Sequence, residues 1–223
     1  MDITKKTRLA GLLILIGMIA GILSVAPAID STDYLTEASN NSTQVIIAAI
    51  FQFILSLSYI GFAILIYPII KNFRESLSIG FLSFRILAVS VSVIGTVLLL
   101  STLTLSELFV QNTSESIAIF STLGIVLKST RDAINHIFMV LLLCSGNIIL
   151  YILFFKMKII PSWLSIWGIS AAILSMLASG LILFNVVDII TPEYLILNVP
   201  TALFEVFLGL WLIIKGFDRS KVI

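Results

Sequence analysis

Charge is scarce in this sequence. Of 223 residues, 11% are Asp, Glu, Lys or Arg and 59% are hydrophobic, where a soluble domain carries roughly 25% charge. So few ionised side chains cannot cover a water-facing surface, which excludes a soluble globular domain and a disordered chain alike. The net charge of +1 lacks the basic excess that a nucleic-acid partner needs. One cysteine, Cys144, excludes intramolecular disulfides and cysteine metal clusters. One histidine, His136, excludes a multi-histidine di-iron site, and His136 with Asp132 falls short of the three or four ligands of a zinc site. No H-E-x-x-H, G-x-S-x-G or Walker loop occurs, and no internal repeat. No metal is therefore expected, and no motif identifies a cofactor, a small-molecule ligand or an ion.

What is present is hydrocarbon. Mean hydropathy is +1.17, and the apolar residues gather into runs long enough to cross a bilayer, which takes about 20 residues. Six runs qualify: 9–28, 45–70, 79–103, 133–155, 160–187 and 194–214. They are continuous rather than alternating, so they read as helices and not as barrel strands. The expected fold is an all-α polytopic bundle of six transmembrane helices, one integral membrane domain over residues 1–223. The N-terminus also allows a signal-peptide reading: Lys5-Lys6-Thr7-Arg8, an apolar run, then Ala26-Pro27-Ala28 as a cleavage site. The run exceeds the usual 7–15 residues of such a segment, so an uncut first helix is expected.

Basic residues set the orientation. The N-terminal tail and every second connection after it hold Lys5, Lys6, Arg8, Lys71, Arg74, Lys156, Lys158, Lys215, Arg219 and Lys221, ten of the thirteen. The other side holds Lys128 and Arg131, and Arg85 lies inside the third helix. By the positive-inside rule both termini face the cytoplasm, with the plasma membrane as the expected location. Trp163, Trp167 and Trp211 fall at the same level and read as interfacial anchors, with Pro161 in the first turn of the fifth helix.

Two outer connections are long. Residues 29–44 are polar and contain overlapping acceptor sequons in Asn40-Asn41-Ser42-Thr43, and 104–132 contains another at Asn112-Thr113-Ser114. A prokaryotic source would leave all three unused. Ile117, Phe120, Leu123 and Leu127 share the spacing of one helix face. The longer connection is therefore either an amphipathic helix on the outer surface or an extension and return of the third helix.

Ionisable groups inside a spanning helix are costly and point to function. Glu205 lies about ten residues from each end of the sixth helix, near the midplane. Asn198, Thr201, Ala202 and Gly209 share its face, and Pro200 is expected to kink the helix one turn before it. Arg85 either snorkels toward the cytoplasm or pairs with Glu205 directly or through water. His136 begins a face that runs through Leu143 to Asn147 and Tyr151, and Gln52, Ser56 and Tyr59 form a polar face on the second helix. Together these outline a polar strip inside the bundle: Glu205, Arg85, Asn198, His136 and Asn147. Gly17 and Gly21 form a G-x-x-x-G pair, and Gly168, Ala172, Ser175 and Ser179 a small-residue stripe, both suited to close helix packing.

The hairpin Lys156-Met157-Lys158-Ile159-Ile160-Pro161-Ser162-Trp163-Leu164-Ser165-Ile166-Trp167-Gly168 resembles a signature of the membrane family filed as domain of unknown function 4386. Arg8-Leu9-Ala10-Gly11-Leu12-Leu13, Phe84-Arg85 and the ending Glu205-Val206-Phe207-Leu208-Gly209-Leu210-Trp211-Leu212-Ile213-Ile214-Lys215-Gly216-Phe217 are similar to it as well. The resemblance implies a prokaryotic multi-pass protein of no established activity, with the family's arginine and glutamate falling on Arg85 and Glu205.

The expected function is non-enzymatic: a small transporter, a channel-like protein or a lipid-interacting accessory protein, with its polar site around Glu205. A membrane-embedded enzyme acting on a lipid through Glu205 and Arg85, and a structural or assembly partner, are the alternatives. A transporter needs a polar path past Glu205, an enzyme a lateral opening and a second catalytic group, and a structural partner a Glu205 sealed against other side chains. Membrane lipids are expected partners and nucleic acid is not; a second copy or another membrane protein stays open.

Overall fold

In the computed structural model, residues 2–111, 117–189 and 191–221 are described. The Asn112 sequon and Glu115 lie outside them. Among the described residues all regular structure is helical: α1 Ile3–Leu23, α2 Pro27–Asp30, α3 Tyr34–Asn40, α4 Ser42–Ile70, α5 Glu75–Gln111, α6 Ile117–Asp132, a π-helical segment Ala133–Phe138, α7 Met139–Met157, α8 Ser162–Leu183 and α9 Pro192–Ile214, then a 3-10 turn Arg219–Lys221. Six helices are long and apolar enough to span a membrane, counting α6, the π segment and α7 as one rod, Ile117–Met157.

The bounds follow local chemistry. Helix α1 starts and stops earlier than its apolar run. It takes in the polar tail from Ile3 and ends at Leu23, because Pro27 forces the preceding residues out of the helix before it opens α2. At 160–187 the helix is shorter at both ends. Pro161 is the N-cap rather than a first-turn residue, and the chain leaves α8 at Phe184, ahead of a left-handed Asn185. Helix α9 opens on a favourable start, Thr191 capping the Tyr194 N–H, Pro192 at the first position and Glu193 in the first turn.

The described residues of the connection 104–132 are helical. Helix α5 runs on to Gln111 and α6 returns antiparallel to it, with Phe109 and Phe120 edge to face at 5.9 Å. Extension and return is therefore the correct reading. Nothing in 104–111 breaks a helix, so the backbone continues beyond the apolar stretch. The packed face is Phe120, Gly124, Leu127 and Arg131, whereas Ile117 and Leu123 are exposed.

The helices form a closed ring. Each spanning helix packs on the next in sequence, α1 on α4, α4 on α5, α5 on α7, α7 on α8 and α8 on α9, and α9 closes on α1. Lipid tails are as apolar as leucine, so close backbone approach rather than hydrophobicity drives such closure. It occurs at Gly11 and Gly209: a Cβ on Gly11 would stand 2.6 Å from the Gly209 carbonyl oxygen. The expected pair behaves differently, since Gly17 faces Ser58 with ordinary spacing and Gly21 meets nothing nearer than 4.0 Å. Ile64, Ile94, Val97, Ile173 and Leu203 point out of the ring, while Gln52, Ser56, Ser92, Asn147 and Ser175 are buried within it, the distribution of a protein solvated by lipid.

At one end of the ring the segment after α9 meets α1 and the α7–α8 turn: Gly216 lies beside Thr7, the Asp218 N–H donates to the Ile159 carbonyl and Phe217 packs on Phe154. We call this the terminal end. The opposite, far end is covered by α2 and α3, tied down by the Ser106 hydroxyl, which accepts from the Ser39 N–H at 2.8 Å and donates to the Leu35 carbonyl at 2.7 Å.

Candidate functional site

Arg85 points into the ring. It is 4% exposed and does not snorkel. A guanidinium Nη donates to the Asn147 side-chain carbonyl of α7. The guanidinium carbon also lies 5.2, 5.6 and 5.5 Å from the ring centres of Tyr59, Phe62 and Phe81. Three electron-rich faces around a desolvated cation are worth up to about 2 kcal/mol each. The Nε–H, also buried, has no acceptor among the described residues.

Glu205 of α9 opens onto the same space. A cavity with about 20 Å³ free for water is walled by Arg85, Asn147, Glu205, Tyr59 and Tyr151, with Leu13 and Leu208 among its apolar sides. That volume holds about one water. Among the described residues, no ion pair within 4 Å joins Arg85 and Glu205 and no hydrogen bond reaches the Glu205 carboxyl. Arg85, Asn147 and Glu205 are thus brought together, with the amide rather than the carboxylate as the arginine's partner.

Asn198 and His136 lie elsewhere. Asn198 donates to the Tyr194 carbonyl one turn back at 2.9 Å, and His136 Nδ1 stands 3.1 Å from the Tyr194 hydroxyl. Helix α9 passes through Pro200 as one unbroken element. His136 belongs to the π-helical segment, which also turns Asn135 inward. There Asn135 accepts from Gln52 Nε2 at 3.0 Å, and the Gln52 amide reaches the Ser92 carbonyl at 3.3 Å. Gly95 makes this bond possible, because a Cβ there would collide with the Asn135 amide. On the same segment the His136 carbonyl accepts from Ser179 at 2.8 Å.

Around this far-end cluster are two open hollows. One, about 280 Å³, lies between Gly21, Gln52, Met139 and Tyr194; the other, about 560 Å³, reaches Lys128, Asp132 and Asp188. Asp30 and His136 line both. Arg131, which falls in the connection 104–132, is 5% exposed and stands 2.8 Å from Asp30 and 3.3 Å from Asp132. Lys128 holds the same turn, donating to the carbonyls of Asp30 and Ser31. Among the described residues no three His, Cys, Asp or Glu side chains converge as metal ligands.

Toward the terminal end the interior closes with rings. Tyr151 meets Phe204 at 4.9 Å and Phe154 at 6.5 Å, and Trp167 lies 5.8 Å from Phe204. Gly168 leaves room for them, since a Cβ would stand 2.6 Å from Phe204 and 2.8 Å from Tyr151. Trp163 stacks on Trp167 and is half exposed, and Trp211 lies under Lys215. All three tryptophans are at the terminal end.

A family model described as Domain of unknown function (DUF4386) matches residues 9–216, a range that contains Arg85, Asn147 and Glu205. No curated protein and no solved structure matches the chain.

Proposed function

The chain belongs to the DUF4386 family, and from that premise we propose that it is a small, non-enzymatic membrane transport protein with Glu205 as its proton-exchanging carboxyl. Both termini face the cytoplasm of a prokaryotic cell, and the far end opens outward from the plasma membrane. One observation carries the reading: the asymmetry of the ring's interior. Hollows of about 560 and 280 Å³ lie at the far end, a water-sized cavity holds Arg85 and Glu205 deeper in, and aromatic rings close the terminal half.

An intramembrane carboxyl with no protein hydrogen bond and space for water beside it can bind and release a proton, as carboxylates do in pumps and transporters. Leu55 lines the outer hollow, and the buried Leu143 and Cys144 follow along α7 before Asn147 of this cavity. Passage requires them to part. Lipid-cleaving chemistry fits less well, because room for about one water at Glu205 admits no ester group. A purely structural carboxyl would be joined to a neighbouring side chain.

The test is proton flux in proteoliposomes under an imposed potassium diffusion potential, followed with an internal pH dye. Flux present in the native protein and lost in Glu205→Gln supports the reading. Equal flux in both, or none above empty liposomes, rejects it. Orientation is checked separately. Reporter fusions after Ser76 and Lys158 should report the cytoplasm, and fusions near Ser39 and Thr191 the outside.

A further inference from the structure

At the terminal end a hollow of about 410 Å³ lies between the α7–α8 turn and the end of α9. Lys158, Lys215 and Lys221 line it, and Asp218 is the acidic residue on its wall. Lys221 is engaged, its ammonium 3.4 Å from the Asp218 carboxylate. Lys158 and Lys215 have no carboxylate within 4 Å among the described residues. Helix α8 starts on the same wall. Its N-cap, Pro161, lends no side-chain cap, so the N–H groups of the first turn add partial positive charge beside Ser162. The hollow therefore suits an anion.

A second hollow shows what kind of anion. A groove of about 240 Å³ follows the lipid side of α9 past Phe207, Leu210 and Ile214. It shares Trp211 and Lys215 with the basic hollow. From Ile214 back to Phe207 the groove descends about 10 Å into the hydrocarbon. A basic site for a headgroup thus continues, across one tryptophan ring, into an apolar site for a chain. We propose that this junction binds an anionic phospholipid, its phosphate between Lys158 and Lys215 and one acyl chain in the α9 groove. The inference does not depend on whether any solute passes Glu205.

Native mass spectrometry of the full chain, released from micelles containing phosphatidylglycerol or phosphatidylcholine of the same acyl chains, tests it. Phosphatidylglycerol should be retained in preference by about 25-fold, as two lysines without a carboxylate partner each contribute about fivefold near an anionic surface. Lys158→Gln and Lys215→Gln should each reduce retention about fivefold, whereas Lys215→Arg keeps it. Leu210→Trp, which fills the groove, should reduce lipid retention as well. Equal retention of the two lipids overturns the proposal. So does full displacement of the lipid by inorganic phosphate together with indifference to Leu210→Trp, which would mark a site for free phosphate. The native comparison requires no variant. Unchanged thermal unfolding in lipid-free detergent keeps the variants interpretable.

Discussion

The half of the ring near the chain ends is filled by rings, and the half away from them by dipoles and charges. Phe62, Phe81, Phe154, Phe204 and Phe217 belong to one buried cluster at the terminal end. The buried apolar cluster at the far end is built mainly of alanines, with Ala26, Ala28, Ala38, Ala48 and Ala49 among its members. At the same end stand Gln52, Ser92, Asn135, His136 and Arg131. The contrast is one of order. Aromatic packing in lipid has no preferred partner but leaves little space, whereas a polar network dictates partners and leaves hollows that water can fill. The interior of a ring built this way is filled by side chains in one half and hollowed in the other.

The sharpest way to break the closed half is Gly11→Val. Its side chain has no place to go against Gly209, and unfolding in detergent should show a loss of about 3 kcal/mol. Gly21→Val, three turns along the same helix but in the open half, should cost under about 0.5 kcal/mol. Comparable losses at the two positions would contradict the difference in packing. Next is Asn147→Leu, which strands a buried guanidinium and should cost about 2 kcal/mol. Glu205→Gln should cost less than about 1 kcal/mol, because no side chain pairs with that carboxyl. The reverse ranking would mean that Glu205, rather than Asn147, is the main partner of Arg85. In the open half, Arg131→Met should cost about 1.5 kcal/mol, since water can reach the quarter-exposed Asp30 left behind. Adding Asp30→Asn should restore part of that loss, and a double-mutant cycle measures how much. Milder than the loss of Arg131 is Gly95→Ala. It separates Asn135 from Gln52 for about 1 kcal/mol, and should show most clearly as faster amide exchange in the π-helical segment.

The six spans were legible because hydrocarbon solvent demands an unbroken apolar run for each crossing, and no other pattern satisfies that demand. Their ends were less legible where the backbone outlasts the apolar run. The stretch 104–111 is helical because nothing in it opposes a helix, and water tolerates such a segment either way. Glu205, Arg85 and Asn147 stood out by their chemistry in an apolar setting. Which partner each one meets depends on rotation about the helix axis and on residues remote in sequence, and neither leaves a periodic trace. Arg131 was hidden for the opposite reason: it sits in a charged stretch, where one more cation looks ordinary. The π-helical segment had no signal at all, since one extra residue in a turn changes neither composition nor apolar spacing.

The distance between Arg85 and Asn147 along the chain also has a meaning in time. They are 62 positions apart, so at a synthesis rate of about 5–20 residues per second several seconds separate their arrival at the membrane. During that interval the arginine has no amide to bind, and Glu205 is still further from being made. Two of the three rings around its guanidinium, Tyr59 and Phe62, belong to α4, and Phe81 precedes it on α5. All three are already present when Arg85 is added. The aromatic cage is therefore complete as soon as the α4–α5 hairpin forms. It can hold the cation through the seconds in which the nascent protein has no other means of keeping a charge in oil.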